Sequence, residues 1–281
     1  MTKEDSPAKP VYNSNPFSLG FDALGRFFNT NVAWAVVLIV LGFFGAITQL
    51  AGNLPHSSTS TTPAPPATAY GAPSSQTAYD ATTIIALVIV ISVFVLVAVV
   101  VGVIINIFLK GMFSYVALES EKGNKVNFEA AFKATAHRFP RLFGSELLAM
   151  LKIIGWTMLF IIPGVVAAYR YALLSYVIMD EPEDKKGVKN SHARVKTLVA
   201  HRKMEVFGLA TVGAIVPFVG SLITLSGNAA LYRQMQIYTD HKLEKPGVHW
   251  LNYIGFILFA ALLLFVLFIA AIVLAIVGLN K

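Results

Sequence analysis

The stretch LFGSELLAMLKIIGWTMLFIIPGVVAAYRYALLSYVIMD, residues 142–180, decides the fold of this chain. A single helix over these 39 residues would be about 58 Å long, whereas the hydrocarbon core of a membrane is about 30 Å thick. Pro163-Gly164 interrupts the apolar run, and basic segments flank it on both sides. The stretch therefore predicts a helical hairpin, with one span over residues 142–162, a tight turn at Pro163-Gly164 and a second span that ends at Asp180.

The composition of the whole chain excludes a soluble protein. Of its 281 residues, 56% are hydrophobic and 13% are charged, and the mean hydropathy is +0.67, whereas a soluble domain carries about 25% charged residues. The absence of cysteine excludes disulfides, thiolate metal sites and a cysteine nucleophile. Basic loops beside membrane spans account for the net charge of +7, so nucleic acid is not expected as a partner.

The rest of the chain divides by composition. Residues 1–16 are polar and contain three prolines, which predicts a disordered tail. Residues 52–80 are rich in Ser, Thr, Pro and Ala and lack Lys and Arg, which predicts a disordered loop outside the cell. The apolar segments predict an interfacial helix and span one in residues 17–51, a membrane bundle with two Pro-broken hairpins in 81–248, and a C-terminal span in 249–281.

The positions of the cations orient this all-α, polytopic transmembrane bundle in the cytoplasmic membrane. In a seven-span arrangement, residues 204–238 form the second hairpin, broken at Pro217, and 19 of the 22 Lys and Arg residues are cytoplasmic. The alternative has six spans with a single crossing over residues 204–225, and it exports the three cations between residues 233 and 245. Seven spans are favoured, with the N-terminus in the cytoplasm and residues 52–80 outside.

Four segments of the chain resemble a known family. They are PFSLGFDALGRFF at residues 16–28, IIPGVVAAYRYALLSYVIMDEP at 161–182, NSHARVKTLVAHRKMEVFGL at 190–209 and AALYRQM at 229–235. Together they resemble an uncharacterised bacterial membrane family, related to the membrane domain that precedes the catalytic barrel of some membrane-bound glycerophosphodiester phosphodiesterases. The resemblance implies architecture alone. No phosphodiesterase activity is carried over, because most residues after 238 form a membrane span.

Two cations within the first hairpin indicate a binding site. No Asp or Glu occurs between residues 147 and 179, yet Lys152 and Arg170 lie there, and an unpaired cation inside a membrane is costly. On antiparallel helices their depths differ by about 6 Å, so both are predicted to hold one anion, a lipid phosphate or a small solute. The alternative is that each cation extends to a membrane surface and has no function. The other predicted members of this binding site are Trp156, Tyr169 and Tyr171 as walls and Asn228, or Ser226, as a hydrogen-bond donor.

These observations favour a non-enzymatic protein that binds or transports an anionic membrane lipid or solute. No nucleophile with a nearby base, no zinc-type histidine pairing and no phosphate-binding Gly-rich loop is present in the sequence, so neither a catalytic site nor a cofactor or metal is expected. The alternative is a scaffold that binds partners through a cytoplasmic collar of amphipathic helices at residues 17–30, 127–139 and 187–201. A homo-oligomer is compatible with both hypotheses.

Two smaller patterns complete the sequence predictions. Gly213, Gly220 and Gly227 recur every seven residues, which favours close helix packing over a ligand passage. Glu146 and Asp180 lie near the cytoplasmic ends of their spans, where a solvated position is favoured over pairing with neighbouring cations or proton relay.

Overall fold

The apolar periodicities of the sequence produce helices throughout the part of the chain that the computed structural model describes, residues 12–52, 81–181 and 187–279. All regular elements in these ranges are helical, as predicted. The helices are α1 (Pro16–Gly52), α2 (Ala81–Glu121), α3 (Phe128–Leu159), α4 (Ile161–Tyr171), α5 (Leu174–Asp180), α6 (Val188–Leu198), α7 (Lys203–Ile215), α8 (Gly220–Asp240) and α9 (Ile254–Leu279), with a 3₁₀ turn at Trp250–Tyr253.

Among the described residues, five helical stretches are long and apolar enough to cross a membrane, as expected for a membrane protein. They are Pro16–Phe43, Ile84–Glu121, Phe128–Leu159, Ile161–Asp180 and Trp250–Ile272. Helices α7 and α8 do not belong to this set.

The chain divides into two compact units, and the sites described below all lie in the first. The first unit is Met1–Phe43 with Ile107–Lys281, and the second is Phe44–Asn106. In the second unit, the part of α2 from residue 84 onward is apolar and exposed around its whole circumference. A helix with no polar face is suited to lipid rather than to water.

Helices α5 and α8 form the core of the first unit. Six of the seven residues of α5 are buried, and α8 is buried on several sides at once. Small residues on α8 allow this close packing, and Leu209 and Val212 of α7 pack with Ile223 in one apolar cluster. The interfacial part of α1 contributes Phe17 and Leu24 to the same cluster.

The first hairpin turns three residues earlier than predicted. The break is at Phe160, whose backbone is extended (φ −154°, ψ 134°), and not at Pro163-Gly164. Pro163 lies in the first turn of α4, where its missing N–H costs nothing. Gly164 is required because a Cβ atom there would lie within 2.1 Å of the Thr157 hydroxyl oxygen on α3.

The second hairpin is formed by α7 and α8, and the glycine repeat holds it together. A Cβ atom on Gly220 would lie 1.8 Å from the carbonyl oxygen of Gly213, and one on Gly227 would lie 2.7 Å from the side chain of Leu209. The prediction of close helix packing is therefore confirmed. The 13 residues of α7 extend over about 20 Å, which is short for a full crossing.

Two predicted boundaries can be compared with the helices. The interfacial helix and span one meet at Asn31, as predicted, where α1 is kinked (φ −131°, ψ 53°). The amphipathic element at 127–139 is not separate from span three, because α3 continues through Pro140 from Phe128 to Leu159. Of the predicted loop at residues 52–80, residue 52 ends α1 and residues 53–80 lie outside the described residues.

The end of the predicted tail, residues 12–15, is held against the bundle. The Tyr12 hydroxyl donates a hydrogen bond to a carboxylate oxygen of Glu205, and the backbone N–H of Asn13 donates to the side-chain oxygen of Gln234 at 3.0 Å. The Asn252 side chain donates to the Ser14 carbonyl at 2.7 Å. These polar contacts explain why this part of the predicted tail, before α1, is ordered; residues 1–11 lie outside the described residues.

Candidate functional site

A cavity of about 540 Å³ lies beside α4 and contains one of the two predicted cations, Arg170. This volume is in the range of about 300–1,000 Å³ that is typical of small-molecule sites. We call it the cationic cavity. Its lining residues come from α4, from α6 and the turn after it, from α7 and from α9: Val165, Val166, Tyr169, Arg170, Lys196, Val199, Ala200, His201, Lys203, Met204, Phe207 and Phe256.

Three cations converge on the cationic cavity because of the local folding of α6 and α7. Helix α6 buries one stripe of residues, which leaves Lys196 exposed beside the cavity. The chain then reverses at His201, which adopts a left-handed conformation (φ 62°), and α7 begins at once with Lys203. The turn therefore brings two lysines of the basic segment next to Arg170 of α4.

The walls of the cationic cavity are apolar and aromatic. The Phe207 ring packs edge-on against Tyr169 at 5.1 Å and lies 4.7 Å from the Phe256 ring. Val165, Val166 and Met204 complete this surface. The arrangement combines cations with aliphatic and aromatic walls, which suits a ligand that is anionic at one end and apolar at the other.

The charges of the cationic cavity are not balanced by any residue that the structure describes. No Asp or Glu is among its lining residues. Within the described ranges, Arg170, Lys196 and Lys203 form no ion pair, whereas Arg141 and Arg194 are both paired with Glu181, at 2.9 and 3.4 Å. An anion in the cavity would therefore meet three positive charges that no carboxylate of the described residues compensates.

The second predicted cation, Lys152, lies in a different environment from Arg170. Its ammonium group is 3.4 Å from Nδ1 of His192 and 5.6 Å from the centre of the Tyr171 ring. His192 Nε2 lies 3.1 Å from the Ser145 carbonyl oxygen, which can only accept, so Nε2 carries the hydrogen and Nδ1 accepts from the lysine. Burial and the nearby Lys152 charge lower the pKa of the His192 imidazole.

The predicted binding residues are thus distributed over several places. Tyr169 and Arg170 share the cationic cavity, and Lys152 and Tyr171 contact each other near His192. Trp156 on α3 is 51% exposed, and Asn228 lines a second cavity with α2, α5 and α7. The alternative donor, Ser226, is buried and donates to the Leu222 carbonyl within its own helix at 2.7 Å.

Sequence reasoning missed Lys196, Lys203 and His201 as site residues, because their basic segment is fully explained by membrane topology. The only signal in the sequence was their position on α6 and at the start of α7, directly after the hairpin that contains Arg170. Among the residues in the described ranges, no three His, Cys, Asp or Glu side chains are placed to hold a metal ion.

Asp180 and Glu181 belong to an ion-pair network at the helix ends rather than to a solvated surface. Asp180 accepts from Arg233 on α8 at 2.8 Å and lies 3.7 Å from the Lys122 ammonium group. Arg194 on α6 pairs with Asp240 at the end of α8 at 2.6 Å. The favoured solvated position of Asp180 was therefore wrong, since this carboxylate is paired and its side chain is 9% exposed.

Comparison with known proteins adds no assignment to this geometry. No protein-family model, no curated protein and no solved structure matches the chain. The function must therefore be argued from the cavities and charges of the chain itself.

Proposed function

We propose that this protein is a multi-pass membrane protein that binds an anionic phospholipid of the cytoplasmic leaflet in the cationic cavity. The observation that carries the proposal is the cavity itself, in which three cations that form no ion pair with a described residue adjoin apolar walls. A phosphate group accepts charge-assisted hydrogen bonds from Arg170, Lys196 and Lys203. The beginning of an acyl chain packs against Val165 and Phe207. A protein that only binds lipid and a protein that transports lipid both require such a site.

The proposed orientation is cytoplasmic for the N-terminus and for the helix ends that carry the ion-pair network. Arg26 on α1 pairs with Glu121 at the end of α2 at 2.8 Å, and Asp180 pairs with Arg233. Ion pairs require that both partners lie on the same side of the membrane. These contacts support an arrangement in which α7 and α8 enter and leave from the cytoplasmic side, and they disfavour the six-span alternative that exports Arg233.

The proposed depth of the cationic cavity follows from its neighbours. Phe256 lies two residues after the start of α9, and Trp250 and Tyr253 just before it are suited to a membrane interface. Lys196 and Lys203 belong to a basic segment that the positive-inside rule assigns to the cytoplasm. A headgroup from the inner leaflet therefore has direct access to the cations. The proposed relationship to the glycerophosphodiester phosphodiesterase membrane domains concerns architecture alone.

The alternative function, a scaffold with a collar of free amphipathic helices, has less support. The apolar stripe of α6, with Val195 and Leu198, is buried within the bundle. The first part of α1 also buries Leu19, Ala23 and Phe27 in the protein. Two of the three helices of the predicted collar thus have largely covered apolar faces and have little left to offer a membrane surface or a partner. The third, at residues 127–139, keeps Phe128 and Phe132 exposed.

Lipid retention tests the proposed function directly. The full-length protein is purified in a mild detergent and mixed with equal amounts of phosphatidylglycerol and phosphatidylcholine, and bound lipids are counted by native mass spectrometry. The wild type should retain phosphatidylglycerol preferentially. In the triple variant Arg170→Gln/Lys196→Gln/Lys203→Gln, this preference should fall roughly tenfold, which corresponds to a binding energy of about 1.4 kcal/mol.

A matched triple variant separates the cavity from general surface charge. Lys125, Lys189 and Lys242 are exposed, and none of them lines the cationic cavity. Their simultaneous replacement by glutamine removes the same total charge and should leave the lipid preference unchanged. Equal loss in both triple variants, or unchanged preference in the cavity variant, would overturn the proposal.

A further inference from the structure

A second cavity of about 480 Å³ lies among α2, the α4–α5 junction, α7 and α8, and it differs from the cationic cavity in its chemistry. Its lining combines small residues with hydroxyl and amide groups. The lining residues are Lys110, Ser114, Ala172, Ser175, Tyr176, Ala210, Gly213, Ala214, Gly220, Ser221, Thr224, Leu225 and Asn228.

Asn228 gives this second cavity a polar group that the protein does not use. The residue is 7% exposed, and its Oδ1 atom is buried without a hydrogen-bond partner. No hydrogen bond joins its side-chain amide to another residue in the described ranges. Because nearly all buried polar groups in proteins are hydrogen-bonded, an unpartnered amide that lines a cavity indicates a ligand that both donates and accepts.

The hydroxyl groups of the second cavity have the same character. Ser114 donates to Ser175 at 2.8 Å, and the Tyr176 hydroxyl donates to the Leu225 carbonyl at 2.9 Å. A hydroxyl group has one donor and two acceptor sites. The paired serines therefore keep sites for a further hydrogen bond.

The second cavity is electrically balanced, which excludes a charged ligand. Among its described lining residues the one cation, Lys110, is paired with Glu146 at 2.8 Å, and no carboxylate is present. An anion would have to compete with Glu146 for Lys110, and a cation would find no carboxylate among the lining residues. This contrasts with the cationic cavity, where the cations form no ion pair with a described residue.

We propose that the second cavity binds a small uncharged molecule with several hydroxyl groups, a polyol or a sugar, through the Asn228 amide and the Ser114–Ser175 pair. The shared chemistry fits either a free solute or the headgroup of a neutral glycolipid. The site does not depend on lipid binding in the cationic cavity, because the two cavities share no lining residue.

Cysteine protection tests this proposal without background labelling, because the chain has no cysteine. Ser221 lines the second cavity and is exposed, so the full-length Ser221→Cys variant can be labelled with a small maleimide. Glycerol, myo-inositol and glucose are the free probes, and glucosyl diacylglycerol in nanodiscs is the lipid probe. At least one of them should slow the labelling about threefold or more, as expected when most sites are occupied.

Controls assign the protection to the proposed site. The exposed Lys133→Cys variant should be labelled at the same rate with and without a probe. Asn228→Ala in the Ser221→Cys background should abolish protection, and Ser175→Ala, which removes only one oxygen, serves if the first variant does not fold. Glucose 6-phosphate should protect less than glucose, because the cavity has no free cation.

Each outcome either supports or contradicts ligand binding in the second cavity, or identifies the source of the ligand. Protection by a free polyol or sugar supports a soluble ligand, and protection by the glycolipid alone supports a lipid headgroup. Absence of protection by all four neutral probes overturns the proposal, as does equal protection by glucose 6-phosphate or protection that survives Asn228→Ala and Ser175→Ala.

Discussion

Replacement of Asp180 with alanine is expected to destabilise the helix bundle, because this one carboxylate joins α5 to α8 and to the end of α2. It accepts from Arg233 at 2.8 Å, from the Tyr232 hydroxyl at 3.0 Å and from the Gln236 side chain at 3.0 Å, and it lies 3.7 Å from the ammonium group of Lys122. Its own side chain is 9% exposed. The variant leaves all these partners without their common acceptor.

The expected magnitude follows from how well each partner can be rehydrated. Removal of one member of a buried ion pair costs about 3–5 kcal/mol. The Arg233 and Lys122 side chains are 24% and 40% exposed, so their hydration in the variant offsets part of this cost. The Tyr232 hydroxyl loses its acceptor in a buried position, which adds about 1–3 kcal/mol. We expect a total loss of about 3 kcal/mol. For a domain of this size, that corresponds to a decrease in Tm of about 6–12 °C.

The measurement is reversible unfolding of the purified protein in mixed detergent micelles, followed by circular dichroism. Asp240→Ala is the matched control, because Asp240 pairs with Arg194 at 2.6 Å but its side chain is 45% exposed. An exposed pair contributes less than about 1 kcal/mol. A loss for Asp180→Ala that does not exceed the loss for Asp240→Ala would refute the assigned role of Asp180.

Three further predictions concern other parts of the first unit. The pKa of the His192 imidazole is lowered from 6.5 in the folded protein, so the unfolded chain binds a proton at a higher pH than the folded chain does. The free energy of unfolding should therefore fall as the pH is lowered through about 6.5. His192→Gln should flatten this part of a pH titration of Tm. Gly220→Ala should cost about 1–3 kcal/mol by overpacking against Gly213, whereas Gly155→Ala, with no atom within 4 Å of the new Cβ, should not destabilise in the same unfolding assay. In oriented vesicles, Lys242→Cys should be labelled only from the cytoplasmic side by a maleimide that does not cross membranes; labelling from outside would favour the six-span alternative.

The helical class of the fold was predictable, because it depends on composition and on the length of apolar runs. The boundary at Asn31 and the packing of Gly213 against Gly220 were also correct, since both follow from local sequence patterns. The exact break of the first hairpin was not predictable. Proline is tolerated in the first turn of a helix. Pro163 therefore predicts that a turn lies nearby, but it does not predict that Phe160 is the residue with the extended backbone.

The candidate site was harder to predict, because the sequence predicts how deep a helical residue lies in the membrane better than it predicts the direction of its side chain around the helix. A rise of 1.5 Å per residue places Lys152 and Arg170 at similar heights. Successive residues, however, are rotated by about 100° around a helix with 3.6 residues per turn. Tyr169 and Arg170 therefore line the cationic cavity, while Tyr171 packs beside Lys152.

The cations that join Arg170 also show that a topological explanation does not exclude a functional one. The positive-inside rule explains why Lys196 and Lys203 are in a basic segment, but it does not explain why they have no carboxylate partner among the described residues. Arg194, two residues before Lys196, has two of them, Glu181 and Asp240. Lys196 lies on the exposed side of α6 and Lys203 follows the turn between α6 and α7, so that both line the cationic cavity with Arg170. Such a turn depends on contacts distant in the sequence, and charge counting alone therefore could not reveal the site.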